Sequence, residues 1–406
     1  MAVGGSEDYM KILHLPIHEG GVAYYRHHLP TMALRRAGHT VLAAEDALPN
    51  WLRLCDFTSH EGWLSKQLEE GVDIIHGGWS NNLYHIELLV AAREKSRAHL
   101  LIDFDDDVLN IDKYNLSYMH YHEGNPSRRV ARLGMRVADG VTTSTVPLQE
   151  SMKPEARFTA VLPNFVNTAD WQDFPVDRER PRDRSVRVMF AGGPSHLGDV
   201  TQVKEAVEWV ISHYDGKDER PHVKVIFFAC MPDWAAHYVS DSHIATANRC
   251  FYISATGNDV ALWQRCIRWV APDILVAPLL HHQFNRSKSL IKAYDAAMVE
   301  GCAFACEAWP AYDDVPADAA SHVDSTREGA WQETLQALIE NADLRHELSA
   351  ALRAWVLDKR TIDANINLWE AAYQQALDRP IVSALSDIVR PRILAPSGKL
   401  ARELDD

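Results

Sequence analysis

Between Ala277 and Asp295 the chain reads Ala277-Pro-Leu-Leu-His-His-Gln-Phe-Asn-Arg-Ser-Lys-Ser-Leu-Ile-Lys-Ala-Tyr-Asp295. Lys288 brings a mobile positive charge, and Asn285, Ser287 and Ser289 bring short polar groups. The apolar run from Asp273 to Ala277 reads as a buried parallel strand, and the residues after the polar loop read as a helix. A strand, a loop of donors and a helix start form an anion site, because unpaired N–H groups and the helix dipole favour phosphate there. Asp295 falls about two turns into that helix and can accept hydrogen bonds from a ribose. The layout suits a nucleotide-diphosphate sugar.

Four further constellations could meet this segment. Gly20-Gly21, followed by Tyr25-Arg26, comes after the first apolar strand. Paired glycines let backbone approach a ligand without a Cβ clash. Gly192-Gly193-Pro-Ser195-His196, with Asp199 three residues on, repeats that arrangement after a strand in the second half. Asp103-Phe-Asp105-Asp106-Asp107 offers carboxylates that could bind a hard cation. Asn258 precedes a helix, where a helix cap is the simpler account. Arg128, Arg132 and Arg136 recur every four residues, so they share one helix face. Such a stripe can track phosphates, although a solvated face paired with acids is the commoner arrangement.

The segment resembles the donor loop of GT-B glycosyltransferases, in particular the phage and bacterial members of the retaining group called family 4. Their phrase APL-x4-FN-x2-KS-x2-K-x2-E is matched by Ala277-Pro278-Leu279, Phe284-Asn285, Lys288-Ser289, Lys292 and Asp295. Asp295 stands where the family has Glu, and Ser287 stands where it has a second carboxylate. The Gly20 loop is similar to that family's GG-x3-YR, Asp105 to Ile111 to its run of three aspartates, and Gly192 to Asp199 to its GS-x2-H-x2-D. The resemblance implies two Rossmann-like α/β domains with parallel sheets facing a cleft. It implies transfer of a sugar from a nucleotide-diphosphate sugar, a UDP-sugar first, to an acceptor hydroxyl, with retention and with no metal or other cofactor. Lys288 and loop amides would hold the diphosphate. Gly20, Gly21, Gly192, Gly193, Ser195, His196, Asn258, Asn285, Ser287, Ser289 and Asp295 would line the donor side. Instead of holding a metal, Asp105 and Asp107 would line the acceptor side and deprotonate or orient an acceptor hydroxyl. Phage relatives modify hydroxymethylated bases of their DNA, so Arg128, Arg132 and Arg136 become acceptor-side candidates, with Tyr114, Tyr118 and Tyr121 nearby to stack on a base. The alternatives are a glycan acceptor, a GT-B nucleotide-sugar epimerase and a nucleotide-sugar-binding protein without catalysis.

Bulk properties fit. A chain of 406 residues exceeds one ordinary core. A net charge of −15 argues against sequence-blind nucleic-acid binding, though not against a local basic groove. No apolar run is long enough for a bilayer. Met1 to Tyr9 is small and polar, unlike a signal peptide. Six scattered cysteines form no CxxC pair, so zinc and disulfides are not expected and a reducing cytoplasm is.

Strands and helices alternate in both halves, which predicts parallel sheets. The expected division is a first domain over 10–170, a charged, proline-containing linker over 171–185, a second domain over 186–362, a helix over 363–378 that packs back on the first domain, and a tail over 379–406. In the first half a helix from Tyr24 to Ala37 is expected to break near Pro30.

Overall fold

The computed structural model describes residues 9–43, 68, 70–115, 117–172, 185–214, 220–236, 238–239, 250–254 and 259–381. In the first half, β1 (Lys11–Leu15), β2 (Thr40–Ala43), β3 (Ile74–Gly78), β4 (His99–Phe104), β5 (Gly140–Thr143) and β6 (Thr159–Val161) form one parallel sheet, in the order β2-β1-β3-β4-β5-β6. In the second half, β7 (Ser185–Ala191), β8 (His222–Phe228), β9 (Cys250–Ile253), β10 (Ile274–Ala277), β11 (Ala303–Glu307) and β12 (Ser321–Val323) form another, ordered β12-β11-β10-β7-β8-β9. Helices cover both faces, so the central strands are buried throughout; β10 reads as an unbroken apolar run, while β4 carries the buried Asp103.

Register decides where the loops leave. Gly78 lies opposite Asp103, and Asp103 opposite Thr142. The loops after β3, β4 and β5 therefore depart from one edge. Val276 lies opposite Phe190, which sets the loops after β10 and β7 side by side in the second sheet.

The structure departs from expectation in several places. Pro30 does not break its helix. Gly20–Ala23, a π-helical turn Tyr24–His28 and Leu29–Arg36 run on continuously, and Leu29 donates to Tyr24 O across the wide turn. That turn ends beside Pro30, which has no N–H to give. After β7 the chain forms two helices, Leu197–Thr201 and Lys204–His213. β9, β11 and β12 were not expected from the sequence; all three are short, and β11 is built mainly of small residues. The linker composition also misleads at its ends, since Trp171 is buried in the second core and Ser185 already opens β7.

The last helix, Asn367–Leu377, returns to the first sheet. Trp369 packs against Phe165, and the Tyr373 hydroxyl lies 2.8 Å from both His14 Nε2 and His76 Nδ1. The remaining nitrogens of these rings meet Thr31 Oγ1 at 2.7 Å and Thr142 Oγ1 at 2.8 Å. His27, on the π-helical turn, is buried beside them. Burial above all lowers each of His14, His27 and His76 to about 3, from an ordinary 6.5.

A sign follows for stability. The folded chain keeps the three rings neutral while the unfolded chain protonates them below 6.5, so their contribution is complete above that pH and is lost as pH falls towards 3. The limiting slope is about 4 kcal/mol per pH unit for three protons. Urea unfolding at pH 7.5 and 5.5 should show that fall, and His76→Asn should make it shallower by roughly a third.

Candidate functional site

β10 is buried at every position and delivers Pro278 and Leu279 to the loop. The loop is then pinned from within. Asp199 Oδ1 accepts from Leu280 N at 3.0 Å and from Asn285 Nδ2 at 2.6 Å, while its Oδ2 lies 2.8 Å from His196 Nδ1. Asn285 also donates to Leu280 O, and His282 caps the short helix Gln283–Arg286. Asp199 thus joins the loop after β7 to the loop after β10. Lys292 Nζ stands 3.2 Å from His196 Nδ1. Burial, and next the Lys292 charge, lowers His196 to about 4; burial also lowers Lys292 to about 8. A cation this poorly compensated favours an incoming anion.

The first half meets this loop through hydrogen bonds from neutral donors and through ion pairs, among them an exposed one between Arg286 and Glu150. Thr145 Oγ1 donates to Ser287 O at 3.0 Å, and Asn164 Nδ2 to Ser289 Oγ at 3.1 Å. Ser287 Oγ donates to Asp107 Oδ2 at 3.4 Å. Lys288 Nζ donates to Asp106 Oδ1 at 2.8 Å and lies 4.3 Å from the centre of the Phe284 ring. Behind these contacts sits a buried pair. Arg26 grips Asp103 with two bonds of 2.8 and 2.6 Å, and donates as well to Leu162 O and Asn164 Oδ1. Burial works to raise Asp103, but the Arg26 guanidinium outweighs it and holds the carboxyl at about 2.

Two parallel-sheet halves, joined at the carboxyl ends of their strands and clasped by the last helix, have counterparts among solved structures. Sucrose-phosphate synthase from Thermosynechococcus elongatus superposes with a TM-score of 0.59 at 13% identity, over 91% of this chain and 99% of that one. Anabaena HepE in complex with UDP and glucose does so with a TM-score of 0.59 at 14% identity, over 91% and 100%. An E. coli structure described as trehalose-6-phosphate bound with UDP-2-fluoro glucose gives 0.58 at 10% identity, over 91% and 99%. The fold is GT-B. No family model matches the chain, and no curated protein matches it in sequence.

Within the GT-B frame the expected residues separate. Lys288, Gly193, Ser195, His196 and Ser289 share the region between the loops after β7 and β10. A Cβ on Gly192 would meet the His196 ring at 3.0 Å, whereas Gly193 and Gly21 have nothing within 4 Å of theirs. Gly20 has a φ of 67°, the left-handed region that glycine tolerates. Among the described residues neither Gly193 nor Ser289 gives its N–H to another group, but the N–H groups of Ser287 and Lys288 are spent on Phe284 O and Asn285 O. Asn285 and Ser287 are buried and spend their side chains on Asp199, Leu280 O and Asp107, so they build the loop. Asp295 is 1% exposed, and its Oδ2 accepts from Trp263 Nε1 at 3.1 Å. Its Oδ1 has no partner among the described residues, and burial raises its carboxyl to about 7. Asn258 lies outside the described residues; Asp259 caps the helix that follows.

The three consecutive aspartates diverge. Asp105 is half-buried and accepts from Trp79 Nε1 at 3.0 Å; burial, then the neighbouring Asp106 charge, raises its pKa. Asp106 holds Lys288. Asp107 is fully buried and takes Asn110 Nδ2 on both oxygens, Ser151 Oγ at 2.7 Å and Ser287 Oγ. The base role expected of Asp107 is therefore corrected: it ties three loops together and presents no free oxygen. The arginine stripe is corrected likewise. Arg132 and Arg136 both turn onto Glu155, at 3.3 and 2.7 Å, leaving Arg128 outside that pairing. Asp106, Asp199, Asn164 and Arg26 were missed as site builders, because the partners that place them in the site are 77 to 182 residues away in sequence.

Arg26→Met should strand the buried Asp103 carboxylate and cost about 3–5 kcal/mol, read as a lower urea midpoint. Asp107→Asn should also lower the midpoint, by about 1–3 kcal/mol of stability, since its oxygens bond protein groups only.

Proposed function

We propose that the chain is a glycosyltransferase that moves a sugar from a nucleotide-diphosphate sugar, a UDP-sugar first, to an acceptor hydroxyl. The observation that carries this is Lys288, held on the loop after β10 and facing the aspartates after β4 across the junction of a GT-B fold. Anabaena HepE, a structural neighbour, is described in complex with UDP-glucose. Breaking the sugar–phosphate bond leaves charge on the diphosphate. Lys288, Lys292 and the N–H groups of Gly193 and Ser289 are the donors on hand to meet it. Preorganised donors aimed at developing charge usually lower a transition state more than any other single effect. Asp295, through its unpaired Oδ1, is assigned to the donor ribose. Asp105 is assigned to the acceptor hydroxyl, since a carboxyl raised by burial and by Asp106 is a stronger base than a solvated one. Retention of configuration is carried over from the family-4 resemblance, as is a metal-free reaction.

For the acceptor, the same resemblance favours a hydroxymethylated pyrimidine in DNA, with Arg128 and the exposed Tyr114 and Tyr118 beside it. The pairing of Arg132 and Arg136 with Glu155 favours a second reading, an uncharged glycan or small-molecule acceptor, because it leaves that face less cationic. Incubating the protein with UDP- and GDP-sugars, with and without DNA containing 5-hydroxymethylcytosine, decides between them. A hexose gained by the DNA supports the first, and donor hydrolysis without DNA modification supports the second. No turnover and no binding with any donor would remove the nucleotide-sugar reading. Lys288→Ala should lower kcat/KM by about 100-fold or more, and an unchanged rate would displace Lys288 from the diphosphate. Asp105→Asn should lower kcat about 100-fold or more while UDP still binds.

A further inference from the structure

We propose that Asp106 is a placeholder for the donor's diphosphate: it occupies Lys288 until a nucleotide arrives, yields the ammonium to it, and reclaims the ammonium as the spent nucleotide leaves. The inference rests on the function proposed above and adds Asp106 as a positioning residue acting through Lys288. The cation that the donor loop turns toward the aspartates after β4 is bonded to one of them, at 2.8 Å. The Asp106 side chain is 39% exposed, so it can swing away into water, whereas the Lys288 side chain is 16% exposed and shielded over Phe284. The loop does not need the pair to stay in place. Thr145, Asn164 and Asp107 hold Ser287 and Ser289 through bonds with neutral donors. Losing the pair therefore changes the charge offered to a ligand and not the position of the loop.

A diphosphate carries more negative charge than one carboxylate and competes for the same ammonium. Once displaced, Asp106 has lost the cation that offset it beside Asp105, and a less compensated neighbour makes Asp105 more basic. Donor binding thus primes the acceptor side, and return of Asp106 to Lys288 speeds nucleotide release.

Calorimetric titration with UDP, and stopped-flow measurement of UDP release, on the full chain test this. Asp106→Asn keeps the shape and removes the competitor. It should bind UDP about two- to fivefold tighter, the range that a partly exposed ion pair is worth, with slower release and a lower kcat. Asp106→Glu should restore wild-type affinity. In a chain that already carries Lys288→Ala, Asp106→Asn should change nothing. An unchanged or weaker UDP affinity in Asp106→Asn would overturn the placeholder, because a merely structural aspartate loosens the site when removed. So would an effect that survives Lys288→Ala. Wild-type protein that fails to bind UDP or any other nucleotide would overturn the proposed function and this inference together. Binding by the wild type with no gain in Asp106→Asn would overturn the inference alone.

Discussion

The bidentate pair between Arg26 and Asp103 is the contact on which the site depends. It joins the turn after the Gly20-Gly21 loop to the end of β4, and its guanidinium also reaches Leu162 O and Asn164 after β6. Asn164 then bonds Ser289 on the loop after β10, and its carbonyl accepts from the Tyr294 hydroxyl at 2.8 Å. One buried guanidinium therefore fixes three loops of the first half and, through one asparagine, the second half as well. Both members are almost fully buried, so either alone would be an uncompensated charge in the core. The arrangement gains position more than stability.

A second constraint is the sharing out of negative charge after β4. Three adjacent carboxylates would repel one another if they faced one site. Backbone direction sends them apart: Asp105 to the Trp79 indole, Asp106 to Lys288, and Asp107 into a fully bonded cap. Of the three, Asp105 and Asp106 keep oxygens that a ligand can reach. The buried histidines under the last helix act at longer range. Tyr373 satisfies His14 and His76 together, so the last helix is locked onto the sheet from which the loops after β3, β4 and β5 leave.

Much of this was legible in the chain. The alternation of apolar runs with amphipathic stretches predicted two parallel sheets, because a strand buried on both faces must be apolar along its whole length. The order of Lys288, Ser289, Lys292 and Asp295 after a buried strand pointed to an anion site before any geometry was known. Glycine pairs after the first strand of each half marked loops where backbone can come close to a ligand. Short strands such as β12 escaped, since three residues carry no period. The wide turn at Tyr24–His28 escaped too, because a π-helical turn leaves no clear mark in composition and Pro30 argued for a break.

Residue type and spacing therefore settled the fold class, and they placed Lys288 on a loop between a buried strand and a helix, because these are local properties of strand, loop and helix. They could not settle what each polar side chain touches. Asn285 and Ser287 have the chemistry of ligand contacts, yet both are buried and bonded to Asp199 and Asp107, which stand 86 and 180 residues away. Asp107 and Asp105 are the same residue type two positions apart, and only packing makes one a buried cap and leaves the other half-buried and bonded to Trp79. Arg132 and Arg136 were a cationic stripe until the fold set Glu155 beside them. Hydrogen-bond and ion-pair energies depend on distance and burial, and those are fixed by the tertiary structure.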